Sequence, residues 1–137
     1  MRVSQQLDYT LRALVELARE PGRPVSGGEV ARRLGLPRRF LEQQLTSMGR
    51  AGLVRCRRGT GGGCELAVAA EDITVADVVR AVQGEVLDVP HTAGSAVAEM
   101  WAGVVAELDE VLDAVTIAEL ARRQRVIGAD ATSMYWI

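Results

Sequence analysis

The first half of the chain carries the signals of two short helices separated by a tight turn. Ser26 and Glu29 have the spacing of a capping box, in which the serine accepts from a backbone N–H and the glutamate bonds back; they predict a helix through Leu34. Gly35 predicts the turn, and a proline suited to a first helical turn opens a second helix over residues 37–51. Two helices joined in this way predict a helix-turn-helix.

The second helix is predicted to present a polar side. That side carries Arg38, Arg39, Glu42, Gln43, Gln44 and Arg50. Arginine can bind guanine through two hydrogen bonds, glutamine can pair with adenine, and glutamate can accept from cytosine. The N-terminal turns of a recognition helix normally meet the base edges, so Arg38, Arg39, Glu42 and Gln43 are predicted DNA contacts. A carboxylate near phosphates is repelled, so we expect Glu42 either to read a base or to hold an arginine.

A β-hairpin is predicted directly after this helix. Residues 53–57 and 64–68 have strand character, and the loop between them is rich in glycine and begins with Arg58. A hairpin in this position is the wing of a winged helix, and its arginine can enter a narrow minor groove. The predicted contacts here are Arg55, Arg57, Arg58, Gly59, Thr60 and Gly61. Ser4 and Gln5, near the first helix, are predicted to hold phosphates.

Charge is divided unevenly along the chain. Residues 1–64 contain twelve arginines and five acidic residues, a net charge of +7, whereas the remainder contains four arginines and thirteen acidic residues, a net charge of −9. The total of −2 hides this division. We therefore expect the first half to bind a polyanion and the second half to stay away from it.

The other helices are predicted from apolar residues that recur every three or four positions. One helix spans 4–20 and another spans 74–82. A loop over 85–94 precedes a long amphipathic helix at about 95–115, and a last short helix begins at Thr116.

The long helix has too few partners in a chain of this size, so we expect it to pair with its counterpart in a second subunit. The predicted dimer interface consists of Val97, Met100, Trp101, Val104, Leu108, Val111, Leu112 and Val115. The expected fold is mainly α with a small β-hairpin, a single compact domain overall. It has a winged helix-turn-helix at 1–70, followed over 71–137 by a linker helix, the dimerisation helix and a C-terminal tail. The end of the tail, 134–137, is too apolar to be left in solvent; packing on the partner subunit and covering a groove are both open.

Several classes of protein are excluded. With 137 residues, a single domain is expected. No run of about 18 apolar residues could span a membrane, and the N-terminus lacks the pattern of a signal peptide, so a cytoplasmic protein without a membrane partner is expected. His91 is the only histidine, and no nucleophile or carboxylate pair has a base beside it. We therefore expect no enzyme, no catalytic residue and no metal ligand.

The two cysteines, Cys56 and Cys64, lie four residues on either side of Thr60. A symmetric hairpin would place them opposite each other and within reach of a disulfide. Neighbouring arginines stabilise the thiolate, the form that oxidises. One alternative is therefore a regulator with a redox switch in its wing; the other is that these are two small side chains on a strand.

Several stretches resemble the IscR/NsrR/CymR family of bacterial winged-helix regulators, the Rrf-type repressors. They cover roughly residues 1–120, in order: 1–4, 8–14, 40–45, 51–55, 58–63, 73–82 and 116–120. The resemblance implies a homodimeric transcriptional regulator that binds an imperfect palindrome in double-stranded DNA. Many members of that family sense iron–sulfur status, nitric oxide or redox state through a cluster.

The chain departs from the family pattern at the cluster. Cluster-binding members have three cysteines before the position of Trp101, whereas residues 83–100 contain none here. A family-type iron–sulfur cluster is therefore not expected, and no cofactor is predicted. Asp8, which matches an extra cluster ligand of some relatives, is then expected to have a structural or interface role.

The signal that controls the regulator is left open by the sequence. His91 and Trp101 could line a pocket for a small-molecule effector, and Asp8 is a third candidate residue. A solvated loop histidine and a tryptophan in the core or interface are the alternatives. A winged-helix adapter that binds protein rather than DNA is the alternative function from another class.

Overall fold

The computed structural model describes the backbone of residues 2–135 and the side chains of residues 2–129. Six α-helices, two strands and one 3-10 turn are present in this part of the chain. In chain order they are α1 (Gln5–Ala18), α2 (Gly27–Leu34), α3 (Arg38–Arg50), β1 (Val54–Arg57), β2 (Gly63–Leu66), the 3-10 turn (Ala70–Asp72), α4 (Val75–Gln83), α5 (Ala96–Asp113) and α6 (Ile117–Tyr135). The predicted fold class, mainly α with a small hairpin, is confirmed.

The helix boundaries follow from local capping. The hydroxyl of Ser4 accepts from the N–H of Leu7 and starts α1, and the hydroxyl of Ser26 accepts from the N–H of Glu29 and starts α2. Gly35 ends α2 in the left-handed conformation at φ 67°, which an L side chain rarely adopts. The helix-turn-helix predicted from these residues is present.

The capping box predicted at the start of α2 forms only in part. The carboxylate of Glu29 does not return to the backbone of Ser26; it accepts from Arg32 at 3.0 and 2.6 Å and from Arg33 at 3.0 Å. Two guanidinium groups within the next turn are stronger partners for a carboxylate than a neutral N–H. Thr74 and Asp77, by contrast, form both halves of a capping box at α4.

The hairpin is fixed to the helices by a bridge that the sequence pattern does not show. Strands β1 and β2 pair in antiparallel fashion, with Cys56 opposite Cys64 as a symmetric hairpin predicts. On the other edge of β2, Val25 and Cys64 exchange both backbone hydrogen bonds, at 2.8 and 2.7 Å. The segment before α2 therefore anchors the base of the wing.

The core is shared between the two halves of the chain. Leu14, Leu41 and Met48 from α1 and α3 lie in the same buried cluster as Ile73 and Ile117. A β-bridge between Thr74 and Thr116 joins the start of α4 to the start of α6. Helix α6 packs against α1. The first half of α6 therefore covers the helix on which the helix-turn-helix is built.

The last helix was expected to be short, but α6 has 19 residues. Gly128 is the only helix-breaking residue in it, and one interior glycine costs only about 1 kcal/mol relative to alanine, so the helix continues. The side chains of the predicted apolar tail, 134–137, lie outside those the structure describes. Within residues 2–135, no helix is both long enough and apolar enough to cross a membrane.

Candidate nucleic-acid interface

The buried side-chain amide of Gln44 holds the recognition helix α3 against α1. The Oε1 atom of Gln44 accepts from Gln6 Nε2 at 3.1 Å and lies 3.4 Å from the hydroxyl of Thr10. The rings of Tyr9 and Phe40 meet edge to face, with their centroids 5.7 Å apart. Gln44 is only 7% exposed, so its predicted place on the polar side is wrong: it satisfies the polar groups of α1 instead.

The other predicted contacts on α3 are exposed to solvent. They are Arg38, Arg39, Glu42, Gln43 and Arg50. Arg38 Nε donates to Glu42 Oε1 at 2.8 Å, and this hydrogen bond raises the pKa of Arg38. Of the two roles expected for Glu42, the structure shows that of holding an arginine.

Two glycines make room for this ion pair. A Cβ at Gly27 would lie 2.8 Å from Glu42 Cγ, and one at Gly28 would lie 3.2 Å from the guanidinium carbon of Arg38. Neither glycine has a positive φ, so what favours glycine here is the space taken by the two side chains and not the backbone conformation. This role of the two glycines was not predicted from the sequence, where its signal is the pair of adjacent glycines at the start of α2.

The wing presents arginines on a tightly curled tip. Arg57, Arg58 and Thr60 are exposed. A Cβ at Gly62 would overlap the carbonyl oxygen of Arg57, so the chain can fold back at this point only with glycine. Gly59 adopts a φ of 89°, another conformation that suits glycine.

The arginines of this surface differ in how much of their charge is neutralised. Within the described side chains, no ion pair is formed by Arg39, Arg50, Arg57 or Arg58. Arg55, in contrast, binds Glu65 at 3.1 Å, and Arg38 binds Glu42. Unpaired guanidinium groups are available to phosphates without first losing a protein partner. They lie on α3, which leads through a turn at 51–53 into β1, and on the wing itself.

The remaining predicted contacts lie at the start of α1. Ser4 and Gln5 are exposed, and the Ser4 oxygen already accepts the capping hydrogen bond. The Ser4 O–H group remains able to donate to a phosphate.

The candidate effector residues are not brought together. Asp8 accepts from Arg12 at 2.9 Å on the exposed side of α1. His91 is exposed and lines a cavity of about 240 Å³ with Arg80, Val105 and Asp109. Trp101 is half-buried on α5 and does not line that cavity.

The apolar residues predicted for the dimer interface, on and just after α5, lie in two different surroundings. Leu112, and Val115 two residues beyond the end of α5, pack against the chain's own core. Val97, Met100 and Val111 are 61%, 49% and 62% exposed. None of the 18 residues of α5 is buried within the described chain.

This fold and surface define a winged helix-turn-helix regulator of the DNA-binding kind. A profile of the Rrf2 family, described as "Iron-dependent Transcriptional regulator", matches residues 3–123. The chain belongs to this family, as its resemblance in sequence indicated, and its function is that of a transcriptional regulator rather than an enzyme.

Named relatives support the assignment. CymR of Bacillus subtilis is 32% identical over 124 residues, covering 88% of this chain and 90% of that protein. The solved structure of B. subtilis CymR, described as "the Global Cysteine Regulator", matches with a TM-score of 0.81 and 31% identity, covering 90% of this chain and 98% of that one. The structure of T. potens IscR matches with a TM-score of 0.78 and 34% identity, covering 90% and 88% of the two chains.

The residues present do not fit an iron–sulfur cluster of the type found in cluster-binding relatives. Such clusters are held mainly by thiolates. Both cysteines of this chain lie in the wing and are bonded to each other. Across the described side chains, no group of three or more His, Cys, Asp or Glu is arranged to hold a metal ion. The residues that the structure describes therefore offer no set of iron ligands to match the description "iron-dependent".

Proposed function

We propose that this protein acts as a homodimer, in which two recognition helices α3 enter successive major grooves of an imperfect palindrome in double-stranded DNA. In each subunit the region of residues 1–70 binds DNA, with the wing in the adjacent minor groove. The observation that carries the proposal is the set of unpaired, exposed arginines on α3 and the wing: Arg39, Arg50, Arg57 and Arg58.

The proposed contacts have different tasks. Arg38, Arg39 and Gln43 lie in the first turns of α3, where base edges are read. Arg50, Arg55 and Arg57, with Ser4 and Gln5, are assigned to phosphates, which set register and affinity. Arg58 and the backbone of 59–61 are assigned to the minor groove, where glycine permits close approach. Glu42 contributes through Arg38, because the two side chains are hydrogen-bonded.

The homodimer is supported by the exposed apolar side of α5. An 18-residue helix with no buried residue and several exposed large apolar side chains is unusual for a monomer. A second copy of the same helix would cover Val97, Met100 and Val111 by two-fold symmetry, and that symmetry matches a palindromic site. Trp101, Val104 and Leu108 lie along the same helix and would extend the interface.

The biological setting follows from this activity. A dimer bound over a promoter would exclude the polymerase, so we infer repression, and action on bacterial promoters implies a cytoplasmic location. An effector would act by changing the separation of the two recognition helices, because half-sites about one helical turn apart tolerate one spacing.

The test measures binding by fluorescence anisotropy, with double-stranded fragments from upstream of the protein's own gene. Wild type, Arg39→Ala, Arg58→Ala and the control Arg123→Ala, an exposed arginine on α6, are compared over a range of salt concentrations. We expect the first two variants to weaken binding, the control to leave it unchanged, and wild-type affinity to fall steeply with salt. Salt-independent binding, or equal losses in all three variants, would contradict the proposal and favour a protein-binding adapter.

A further inference from the structure

The two cysteines of the wing face each other across the hairpin. Cys56 and Cys64 are paired in the strand register, their Cα atoms are 4.1 Å apart, and they form a disulfide. The cross-link lies one residue pair from the tip, since only Arg57 and Gly63 pair beyond it.

The backbone hydrogen bonds show why the two side chains meet. Cys64 donates its N–H to Val25 at 2.7 Å and accepts from the Val25 N–H at 2.8 Å. A strand residue directs both backbone groups to the same side, so Cys64 has neither group left for β1. Cys56 and Cys64 are therefore a non-hydrogen-bonded pair, the arrangement in which facing side chains approach most closely.

The two sulfur atoms differ in accessibility. Cys56 is exposed on β1, whereas Cys64 is 7% exposed and belongs to the buried core cluster. A small thiol or disulfide in solution can reach Cys56 but not Cys64. The first step of any exchange reaction is thereby confined to Cys56.

We propose that Cys56 and Cys64 are a reversible redox-modification site that sets the affinity of the wing for DNA; this inference rests on the proposed function. The oxidant is a low-molecular-weight disulfide. The Cys56 thiolate attacks it, forming a mixed disulfide and releasing one thiol. The Cys64 thiolate then attacks Cys56 Sγ and releases the second thiol. The two cysteines are oxidised to the Cys56–Cys64 disulfide, the small-molecule disulfide is reduced to two thiols, and the two cysteine protons end on those thiols.

Loss of the disulfide is expected to loosen the tip of the wing and to leave the rest of the fold unchanged. In the reduced protein β2 keeps its hydrogen bonds to Val25, so the base of the wing stays anchored. The tip, residues 58–62, would then depend on a two-stranded hairpin, which is marginally stable in water. A loose tip must be ordered when Arg58 binds DNA, and that ordering costs affinity. The oxidised form is therefore the tighter binder.

The experiment compares wild type with Cys56→Ser, each treated with oxidised glutathione or with dithiothreitol. Cys56 is exposed, so its replacement leaves the core intact. Anisotropy with the upstream DNA fragments should show binding about five- to tenfold weaker after reduction of the wild type, within the usual range of coupling between sites. Cys56→Ser should bind like the reduced wild type under both treatments.

Two further measurements do not depend on DNA. Oxidation should remove the mass of two hydrogen atoms from the wild type, and trypsin should cleave after Arg57 or Arg58 faster in the reduced form. Equal affinity in the two redox states, or free thiols after treatment with oxidised glutathione, overturns the switch. If neither form binds DNA, the proposed function fails, whereas the trypsin rates still decide whether the disulfide holds the tip.

Discussion

Glu42 accepts a 2.8 Å hydrogen bond from Arg38 one turn earlier on the recognition helix. The pair is exposed, so it contributes little to folding stability. Its effect is on the arginine: the side chain is held in one orientation, and part of its charge is neutralised before DNA arrives. In the proposed complex, the carboxylate would lower the attraction of Arg38 to any phosphate and leave its guanidinium oriented to read a base.

We predict that Glu42→Ala broadens sequence preference. Non-specific DNA should bind several-fold more tightly, because a negative charge is removed from a basic surface. Discrimination at the base pair read by Arg38 should fall by up to about 1–3 kcal/mol, the range for a well-placed base contact. The measurement is the ratio of dissociation constants for the palindrome and a scrambled duplex. Glu119→Ala, which breaks the similar Arg122 pair on α6, is the matched control; an unchanged ratio for Glu42→Ala would refute the role.

The adjacent glutamines of α3 should differ in how much stability they lose on the same substitution. Gln44→Leu removes the acceptor of the Gln6 amide and the more distant acceptor of the Thr10 hydroxyl, which keeps its 2.7 Å hydrogen bond to the Gln6 carbonyl. The loss should cost about 0.5–1.5 kcal/mol of unfolding free energy. Gln43→Leu, at an exposed position, should change stability by no more than about 0.5 kcal/mol. Urea denaturation followed by circular dichroism measures both. Equal losses would mean that the Gln44 contacts do not hold α3 on α1.

Glu29 makes stability depend on pH in the acid range. Its hydrogen bonds, first to Arg32 and then to Arg33, lower the pKa of this carboxyl from its ordinary 4.5. A depressed pKa in the folded state contributes stability above the unfolded value, and this contribution is lost as pH falls through the folded value. Glu29→Gln should therefore melt below wild type at neutral pH, and the gap should close in acid. Thermal melts from pH 7 downward test this, with Glu71→Gln, at an exposed position, as control; a gap that widens in acid would contradict it.

If α5 forms the dimer interface, a single charged residue introduced on this helix should make the protein monomeric. Val111 is 62% exposed in the chain alone. In a two-fold interface, Val111→Glu would bury two like charges without partners, at a cost of about 3 kcal/mol or more each. Sedimentation velocity should show monomers for this variant, whereas Ala106→Glu, an exposed position on the opposite side of α5, should remain dimeric. Identical sedimentation of both variants would place the interface elsewhere.

Local chemistry accounts for the part of this structure that could be predicted from sequence. Ser4, Ser26, Gly35 and Thr74 start or end helices through contacts within about four residues, so their effects can be read from neighbours in the chain. The symmetric spacing of the cysteines about Thr60 likewise placed Cys56 opposite Cys64. Short stretches of the sequence also carry the motifs of the family resemblance and the arginines that the structure exposes on α3 and the wing.

The tertiary structure alone decided which partner each polar group takes. Gln44 and Gln43 are neighbours of the same residue type, yet only Gln44 faces α1, since the approach of α1 selects that side of α3. Arg33 of α2 also reaches back to Glu20, at 2.8 Å, and Val25 reaches β2 from a distant part of the chain. A sequence specifies the local conformations that a few neighbouring residues favour, whereas competition among partners is settled only when packing brings distant residues within hydrogen-bond distance.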